Sequence, residues 1–374
     1  MATNTTQPTP AAAHTGSRLL WSGILFVMGL AGFVLFSNLP SLLPVQAQPD
    51  FADEAMYQEW ERVDRPVAED NLGPLPRSWT WGPHPLSDGL QEPFTESPGG
   101  TRLVQYFDKG RMEITLPGEP VSYGLLVNEM IQGRIQIGAD AFEEREAPEI
   151  ALVGDPIEHN ANAPTYRSLQ AVVLPLNRDR PPGRGGQVVI SMLDREGNVV
   201  DNPDLAQYDI IYDAYEEDTG HNLPNVFSNY LSWYGMVYEN GVYTWEKVFE
   251  WEKLVGLPIS EPYWTRVKVG TVEKDVLFQV FQRRILTYSP SEDVYSQLAM
   301  SNVGQHYLEW RYGVQPGEQP DPQATPQPVG DATETPALPE ASPEPTLTPD
   351  APVVTPTRQP RPQPSNIPDL PTFP

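Results

Sequence analysis

Leu103 to Ile114 reads LVQYFDKGRMEI, and Leu277 to Tyr288 reads LFQVFQRRILTY. In each stretch an alternating run ends at a phenylalanine, a short polar turn follows, and a second apolar run returns. Alternation with a period of two around a short polar turn predicts an antiparallel β-hairpin. The chain is therefore expected to carry two copies of one hairpin, which indicates a fold built by internal duplication.

Elements on either side of the two hairpins repeat as well. A Glu-Pro-aromatic step precedes each hairpin, as Glu92-Pro93-Phe94 and Glu261-Pro262-Tyr263, and a helix-compatible run follows at 123–136 and 295–310. The spacing from step to hairpin differs by about five residues, so the copies have diverged. The predicted fold class is α+β, with short β-hairpins, a few helices and two diverged copies of a hairpin-plus-helix unit.

The region between the copies predicts a third hairpin, with strands at 187–193 and 199–200 around the turn 194–198. This acidic turn lacks the alternating ligand spacing of an EF-hand, so a plain turn is favoured over a calcium loop. Helices are expected near 51–62 and 226–234, where aromatic residues recur on one face.

The N-terminal region contains 21 uncharged residues from Leu19 to Leu39. As a helix this run would span about 31 Å, the thickness of a bilayer core. Val45-Gln46-Ala47 offers the small residues that a signal peptidase reads, so cleavage after Ala47 and a retained membrane anchor are both open. Either alternative predicts export across the cytoplasmic membrane and an extracellular or cell-surface location.

Composition separates the C-terminal region from the rest of the chain. Residues 314–374 hold 18 of the 43 prolines and few aromatic residues, so they are predicted to form a disordered tail with no part in the fold. The following segments are expected: 1–47 as signal peptide or anchor, 48–140 as the first repeat half, 141–205 as a connecting β-rich region, 206–313 as the second repeat half, and 314–374 as the tail.

Charge and cysteine content exclude several classes of function. The formal net charge is −26, and nucleic acid binding requires clustered lysine and arginine, so no nucleic acid partner is expected. An acidic surface suits an extracellular protein, and it could hold calcium. The chain has no cysteine, which rules out disulfides, thiolate metal sites and a cysteine nucleophile.

Three stretches resemble the signature segments of a family of uncharacterised exported bacterial proteins that is common in Chloroflexi. They are NVGQHYLEWRY from Asn302, RRILTYSP from Arg283 and GLPISEPYW from Gly256. The resemblance covers most of the chain from Trp60 to Tyr312 and implies export, but no catalytic residues. Family members often carry two cysteines where this chain has Val280 and Ile285. A second, shorter likeness is that residues 255–261 resemble the core of the LGFP repeat of cell-envelope proteins.

Known catalytic motifs are absent from the sequence. The five histidines lack the His-Glu-x-x-His spacing of a zinc site, and no phosphate loop, dinucleotide fingerprint or nucleophile elbow occurs, so no metal or cofactor is predicted. Glu92 and Glu261 stand out among 50 acidic residues because the repeat places each beside a Pro-aromatic step. Capping of a turn is the favoured role for both, and ligand binding is the alternative.

Tryptophan and tyrosine are the residue types that most suggest a binding function, with nine tryptophans and sixteen tyrosines in the chain. Their rings can pack in a core, or they can stack on sugars at a wet surface. The leading hypothesis is a non-enzymatic envelope or secreted module that binds a polysaccharide or an envelope protein. The alternatives are an exported glycan hydrolase with paired carboxylates and a structural surface spacer. The candidate ligand-binding residues are Trp79, Trp81, Glu92, Glu261, Tyr263 and Trp264.

Overall fold

The architecture is that of a computed structural model, which describes residues 49–69, 75, 77–156, 159–173, 181–315 and 318–321. Six α-helices occur in these ranges: α1 Glu54–Ala68, α2 Leu126–Gln132, α3 Tyr166–Leu169, α4 Asn225–Leu231, α5 Trp251–Leu254 and α6 Val303–Tyr312. The strands of the same ranges are β1 Leu90–Pro93, β2 Thr101–Phe107, β3 Gly110–Ile114, β4 Ser122–Tyr123, β5 Arg134–Gln136, β6 Phe142–Glu144, β7 Ser191–Leu193, β8 Val199–Asp201, β9 Tyr212–Glu216, β10 His221–Pro224, β11 Tyr234–Glu239, β12 Val242–Lys247, β13 Tyr263–Val269, β14 Val272–Val280, β15 Ile285–Tyr288 and β16 Leu298–Met300.

Both predicted repeat hairpins are present, which confirms the α+β fold class. In the first copy β2 and β3 form the hairpin, within a sheet of order β1-β2-β3-β4 that α2 follows. In the second copy β14 and β15 form the hairpin, β13 and β16 flank it, and α6 follows. The two copies therefore share the order strand, hairpin, strand, helix.

The segment before each copy approaches its hairpin in the same way. Pro85 bridges to Phe107 in the first copy, and Pro258 bridges to Phe281 in the second. Gly82 and Gly256 precede these prolines with positive φ, and a Cβ on either would lie under 3.0 Å from the hairpin turn. Only glycine tolerates both conditions, which explains the Gly and Pro turn seen in both copies.

Strand register corrects one part of the predicted alignment. Leu90 lies opposite Val104 in the first copy, and Tyr263 lies opposite Phe278 in the second. Val104 and Phe278 each stand three residues before the hairpin phenylalanine, so Leu90 corresponds to Tyr263. Glu261 then corresponds to Asp88 rather than to Glu92, and the two Glu-Pro steps are a coincidence of sequence.

Buried polar contacts repeat in this corrected alignment. The Gln105 side-chain amide donates to the carbonyl of Ser87, and the Gln279 amide donates to the carbonyl of Ser260, both at 2.9 Å. Each serine hydroxyl also accepts a backbone N–H from the strand opposite, at 3.1 and 3.2 Å. Each copy therefore carries the same pair of buried hydrogen bonds, which give partners to polar groups that would be costly to bury alone.

The helices are exchanged between the copies. The backbone N–H of Gly304 in α6 donates to the carbonyl of Asp108 in the first hairpin turn, at 3.0 Å. Reciprocally, the N–H of Asn128 in α2 donates to the carbonyl of Gln282 in the second hairpin turn, at 3.1 Å. The first turn of a helix leaves N–H groups without intrahelical partners, and here carbonyl groups of the other copy accept two of these N–H groups.

Two hydrophobic clusters form the core, and each draws residues from both copies. Phe107 and Phe281 belong to one cluster, while Tyr106 and Val280 belong to the other. Adjacent residues of a strand point to opposite faces, so each hairpin contributes to both clusters. The segments 48–140 and 206–313 thus share their core.

The region between the copies extends the second sheet. The predicted third hairpin is present as β7 and β8, and β7 pairs in parallel with β13, giving the order β16-β15-β14-β13-β7-β8. Asp194 accepts the backbone N–H of Asn198 at 2.8 Å, and Gly197 has a φ of +83°, as in a plain turn. No group of three or more potential metal ligands occurs in the ranges given above.

Both helices predicted outside the repeat are present. α1 begins after Asp53, whose carboxylate accepts the N–H of Ala55 at 2.8 Å, and it continues beyond the expected end at Arg62. α4 ends at Leu231, so the last residue of the predicted stretch, Tyr234, instead begins β11.

The predicted signal peptide or anchor at 1–47 lies outside the described residues, as does most of the predicted tail. Within the described residues, no helix is long and apolar enough to cross a membrane. The described start of the tail contacts the fold, since the Gln319 side chain accepts from the N–H of Asp88 and donates to the carbonyl of Leu86. These contacts place 318–321 against the segment that precedes β1.

Candidate functional site

The four predicted ring residues do not line one open groove. Trp81 and Trp264 are buried in one hydrophobic cluster and Tyr263 in the other, while Trp79 is half-buried. Tyr263 and Trp264 are neighbours in β13 and point to opposite faces of the sheet, and both faces are covered. Three of the four candidate rings, Trp81, Tyr263 and Trp264, are therefore core residues, and Trp79 is only partly exposed.

Glu92 lies inside a buried network of charges and hydroxyl groups. One carboxylate oxygen accepts from the hydroxyls of Tyr106 and Tyr312, each at 2.6 Å. The other accepts from Arg111 at 3.2 Å and from Arg311 at 2.8 Å. Both oxygens are therefore occupied, and Glu92 is only 1% exposed.

The charges of this network balance. Arg111 also contacts Glu113 and Glu129, and Arg102 pairs with Glu113 at 2.9 Å. Burial by itself raises the pKa of Glu92, but Arg311, Arg111 and the two tyrosine hydroxyls outweigh it and lower that pKa to about 2. A carboxylate that is closed off and ionised in this way holds the sheet to α6, and it offers no proton to a substrate.

Glu261 is held in a different place and shares no partner with Glu92. It accepts the backbone N–H of Asn222 at 2.9 Å and the Asn222 side-chain amide at 3.0 Å. Its Oε1 also lies 3.4 Å from Nδ1 of His221. Glu261 stands out in the sequence beside its Pro-aromatic step, whereas no local pattern marks His221, which lies 40 residues away in the chain.

His221 lines a cavity of about 490 Å³. Side-chain amides dominate the wall, together with one arginine, one threonine and three aliphatic residues: Asn128, Gln132, Gln170, Gln282, Arg134, Thr219, Ile131, Val173 and Ile259. Both copies contribute, through α2 and through the second hairpin turn. No carboxylate is among these wall residues, although the chain is strongly acidic.

A smaller cavity, of about 270 Å³, lies beside α1 and contains Glu59, Lys253 and Thr80. Four of its five charged groups pair with each other, the exception being Glu250: Glu59 contacts Lys253 at one oxygen and accepts from the Tyr123 hydroxyl at the other. Arg62 pairs in turn with Glu239. These ion pairs leave little charge for a ligand to neutralise.

The two most exposed aromatic side chains of the described residues lie on the hairpin of β11 and β12. Trp245 is 66% exposed and Tyr234 is 58% exposed. Register places Met236 opposite Trp245 and Tyr238 opposite Tyr243, so these side chains share one face with Tyr234. We call this face the aromatic face.

The inner end of the aromatic face is anchored to α1. The Arg65 guanidinium lies 3.9 Å from the centre of the Tyr238 ring, and the Tyr238 and Tyr243 rings are 4.9 Å apart. Val237, on the other side of the strand, is fully buried. The hairpin is thus fixed at one end and on its back, while Trp245 and Tyr234 stand in solvent.

Comparison with known proteins gives no relative from which a function could be transferred. No family model, no curated protein and no solved structure matches this chain.

Proposed function

We propose that this protein is an exported, non-enzymatic envelope or secreted module that binds a neutral polysaccharide through the aromatic face. The carrying observation is the exposure of Trp245 and Tyr234 on one side of an anchored hairpin. Monomeric soluble proteins seldom leave large rings grouped in this way without an interaction to make. Trp and Tyr combine a flat apolar surface with a polar group, which suits the hydrophobic faces and hydroxyls of sugars.

Charge argues for a neutral ligand. The formal net charge of −26 repels anionic polymers and anionic membrane surfaces, whereas a neutral glycan carries no such penalty. Preorganisation argues for binding to the hairpin, since its inner rings, Tyr238 and Tyr243, are already held in place and so little entropy is lost there on binding. Export is proposed from the apolar run Leu19–Leu39 and from the resemblance to exported bacterial proteins.

The hydrolase alternative receives less support from the predicted carboxylates. Glu92 has both oxygens occupied inside the core, and Glu261 is held by Asn222 beside His221. A glycosidase needs two carboxyl groups that face each other across a cleft about 5–9 Å wide. Neither glutamate is among the described residues that line the two cavities.

Binding of the full chain to soluble neutral polysaccharides, such as a β-glucan, a xylan and a galactomannan, tests the proposal by affinity electrophoresis. We expect Trp245→Ala to weaken binding at least tenfold, equivalent to about 1.4 kcal/mol, without changing the melting temperature. Tyr295→Ala is the matched control, because Tyr295 is 45% exposed and lies in the loop between β15 and β16. Equal affinity of Trp245→Ala and the wild type, or no binding to any neutral polysaccharide, would overturn the proposal.

A further inference from the structure

The cavity beside His221 offers hydrogen-bonding groups that the fold does not use. Gln132 donates its amide to Asn128 Oδ1 at 2.6 Å, and Gln170 donates its amide to the carbonyl of Ile131 at 2.8 Å. Gln282 uses its oxygen to accept the N–H of Leu257 at 3.2 Å. The remaining capacity is two acceptors, the oxygens of Gln132 and Gln170, and two donors, the NH₂ groups of Asn128 and Gln282.

Thr219 adds a buried group without a partner. Its residue is 6% exposed, it lines the cavity, and its hydroxyl has no hydrogen-bond partner among the described residues. A buried hydroxyl left unpaired costs free energy. The hydroxyl oxygen is closed off from solvent in this structure, so a ligand hydroxyl in the cavity would pair with it, and remove this cost, only after the Thr219 side chain turns toward the cavity.

His221 lines the same cavity and is held by Glu261. Glu261 accepts at Nδ1 of His221, and Asn222 holds that carboxylate with two further hydrogen bonds. In the neutral ring, a carboxylate beside Nδ1 places the proton on that nitrogen, which leaves the lone pair on Nε2. No hydrogen bond from Nε2 joins it to any part of the chain that the structure describes.

From this pattern we infer that the cavity is a second ligand site, which binds a neutral saccharide of one or two residues. Donors and acceptors are mixed on the wall, and a sugar hydroxyl does both at once. The volume of about 490 Å³ lies in the range of small-molecule sites. Arg134, the one arginine or lysine among the described wall residues, lies 4.3 Å from the ring of Phe142, and these wall residues hold no cluster of charge for an anion.

This site is independent of the aromatic face. The two surfaces share no residue, and the wall comes from α2, β5, β10 and the second hairpin turn rather than from β11 and β12. The saccharide could be a free sugar or the end of a glycan chain, and the two sources share the chemistry that the wall recognises.

Titration calorimetry of the full chain with glucose, N-acetylglucosamine and their β-1,4 disaccharides tests the inference, with inorganic phosphate as the anionic probe. We expect at least one saccharide to bind and Thr219→Val to weaken it at least fivefold. Thr80→Val is the matched control, because Thr80 also has a buried hydroxyl without a partner but lines the smaller cavity. Valine has nearly the shape of threonine and lacks only its hydroxyl, which has no partner at either position. Both variants are therefore expected to fold.

The arms of the experiment separate the outcomes. Binding that survives Trp245→Ala and Thr80→Val but not Thr219→Val supports the cavity, and a disaccharide that binds as well as the polymer identifies a free sugar as sufficient. No saccharide binding up to 10 mM, equal affinity of Thr219→Val and the wild type, or binding of phosphate alone overturns the inference. Polymer binding that Trp245→Ala abolishes while Thr219→Val leaves it unchanged belongs to the aromatic face and also overturns it.

Discussion

Gly304 lies so close to Phe107 that a Cβ on Gly304 would stand 1.8 Å from the Phe107 carbonyl oxygen. Gly304 lies in the first turn of α6, the helix of the second copy, and Phe107 ends β2 of the first copy. The backbone N–H of Gly304 also donates to Asp108, the next residue of that hairpin. The contact between the two copies is therefore made backbone to backbone, where no side chain can rearrange to make room.

Gly304→Ala is expected to destabilise the protein, although alanine normally favours a helix by about 1 kcal/mol over glycine. The added methyl must push α6 away from the hairpin, and overpacking of this kind costs about 1–3 kcal/mol or more. Thermal unfolding followed by circular dichroism should show a melting temperature lower by about 3–10 °C. Gly185→Ala is the control, since a Cβ there meets nothing within 4 Å. A Gly304→Ala variant as stable as the wild type would contradict the close approach.

Much of the fold could be predicted because the signals are local. The hairpins at 103–114 and 277–288 follow from alternation and polar turns, and α1 and α4 follow from periodicity. The alignment of the copies could not be fixed in this way, because a Glu-Pro step occurs by coincidence in both. Strand register, a long-range property, decides that Glu261 corresponds to Asp88.

The candidate sites depended on contacts between residues far apart in sequence. His221 meets Glu261 across 40 residues, and Arg311 meets Glu92 across 219. Composition indicated that aromatic rings matter, but burial decides which of them reach solvent, and Trp81 and Trp264 do not. In the same way, nothing in the local sequence shows that a Cβ on Gly110 would lie 1.5 Å from the Arg284 guanidinium.

Glu92 should make the protein sensitive to acid. Its pKa is about 2 in the folded state, against an ordinary value of about 4.3, so the unfolded chain takes up the proton first as the pH falls. The stability from this group is present above about pH 4.3 and is lost between that pH and 2, and it amounts to about 3 kcal/mol. Urea unfolding at a series of pH values measures the loss.

A pair of variants separates Glu92 from the other carboxylates. Glu92→Gln should be less stable near pH 7, because Arg111 and Arg311 lose their buried counter-charge, and its stability should fall less steeply between pH 4.3 and 2. Glu143→Gln, at an exposed carboxylate, should keep the wild-type slope. An unchanged slope in Glu92→Gln would show that the network does not hold this charge.

Protonation of His306 should lower the stability of the protein at a higher pH than protonation of Glu92 does. Burial and the nearby Lys109 lower its pKa to about 4, and the Tyr166 hydroxyl lies 2.9 Å from its Nδ1, as a donor to the neutral ring would. Because the folded pKa is below the ordinary 6.5, the unfolded chain binds the proton first, so stability decreases as the pH falls from 6.5 to 4. Proton NMR of the imidazole should give a midpoint near pH 4, and Tyr166→Phe should raise it. A midpoint above 6 in the wild type would contradict the burial.

The exchanged helices predict that neither half folds alone. Each helix places its first turn on the hairpin of the other copy, as in the contacts of Gly304 with Asp108 and of Asn128 with Gln282. Each half would also expose its share of both hydrophobic clusters, because Phe107 and Tyr106 pack with residues of the second copy. If the chain is divided near Gly183, each fragment therefore keeps helix N–H groups without acceptors. Each fragment also holds only its own share of the two hydrophobic clusters.

Fragment complementation tests this prediction. The chain is cut between 183 and 185, where a Cβ on Gly183 or on Gly185 would meet nothing within 4 Å, and the two fragments are purified separately. Each fragment alone should unfold without a cooperative thermal transition, and an equimolar mixture should regain one, since association restores both cores. Placing Gly304→Ala in the second fragment should weaken this association, whereas Gly235→Ala, at which a Cβ would approach only Val248, should weaken it less. A first fragment that melts cooperatively without its partner would show that the copies are separate domains, and the exchange of α2 and α6 would then contribute little to the fold.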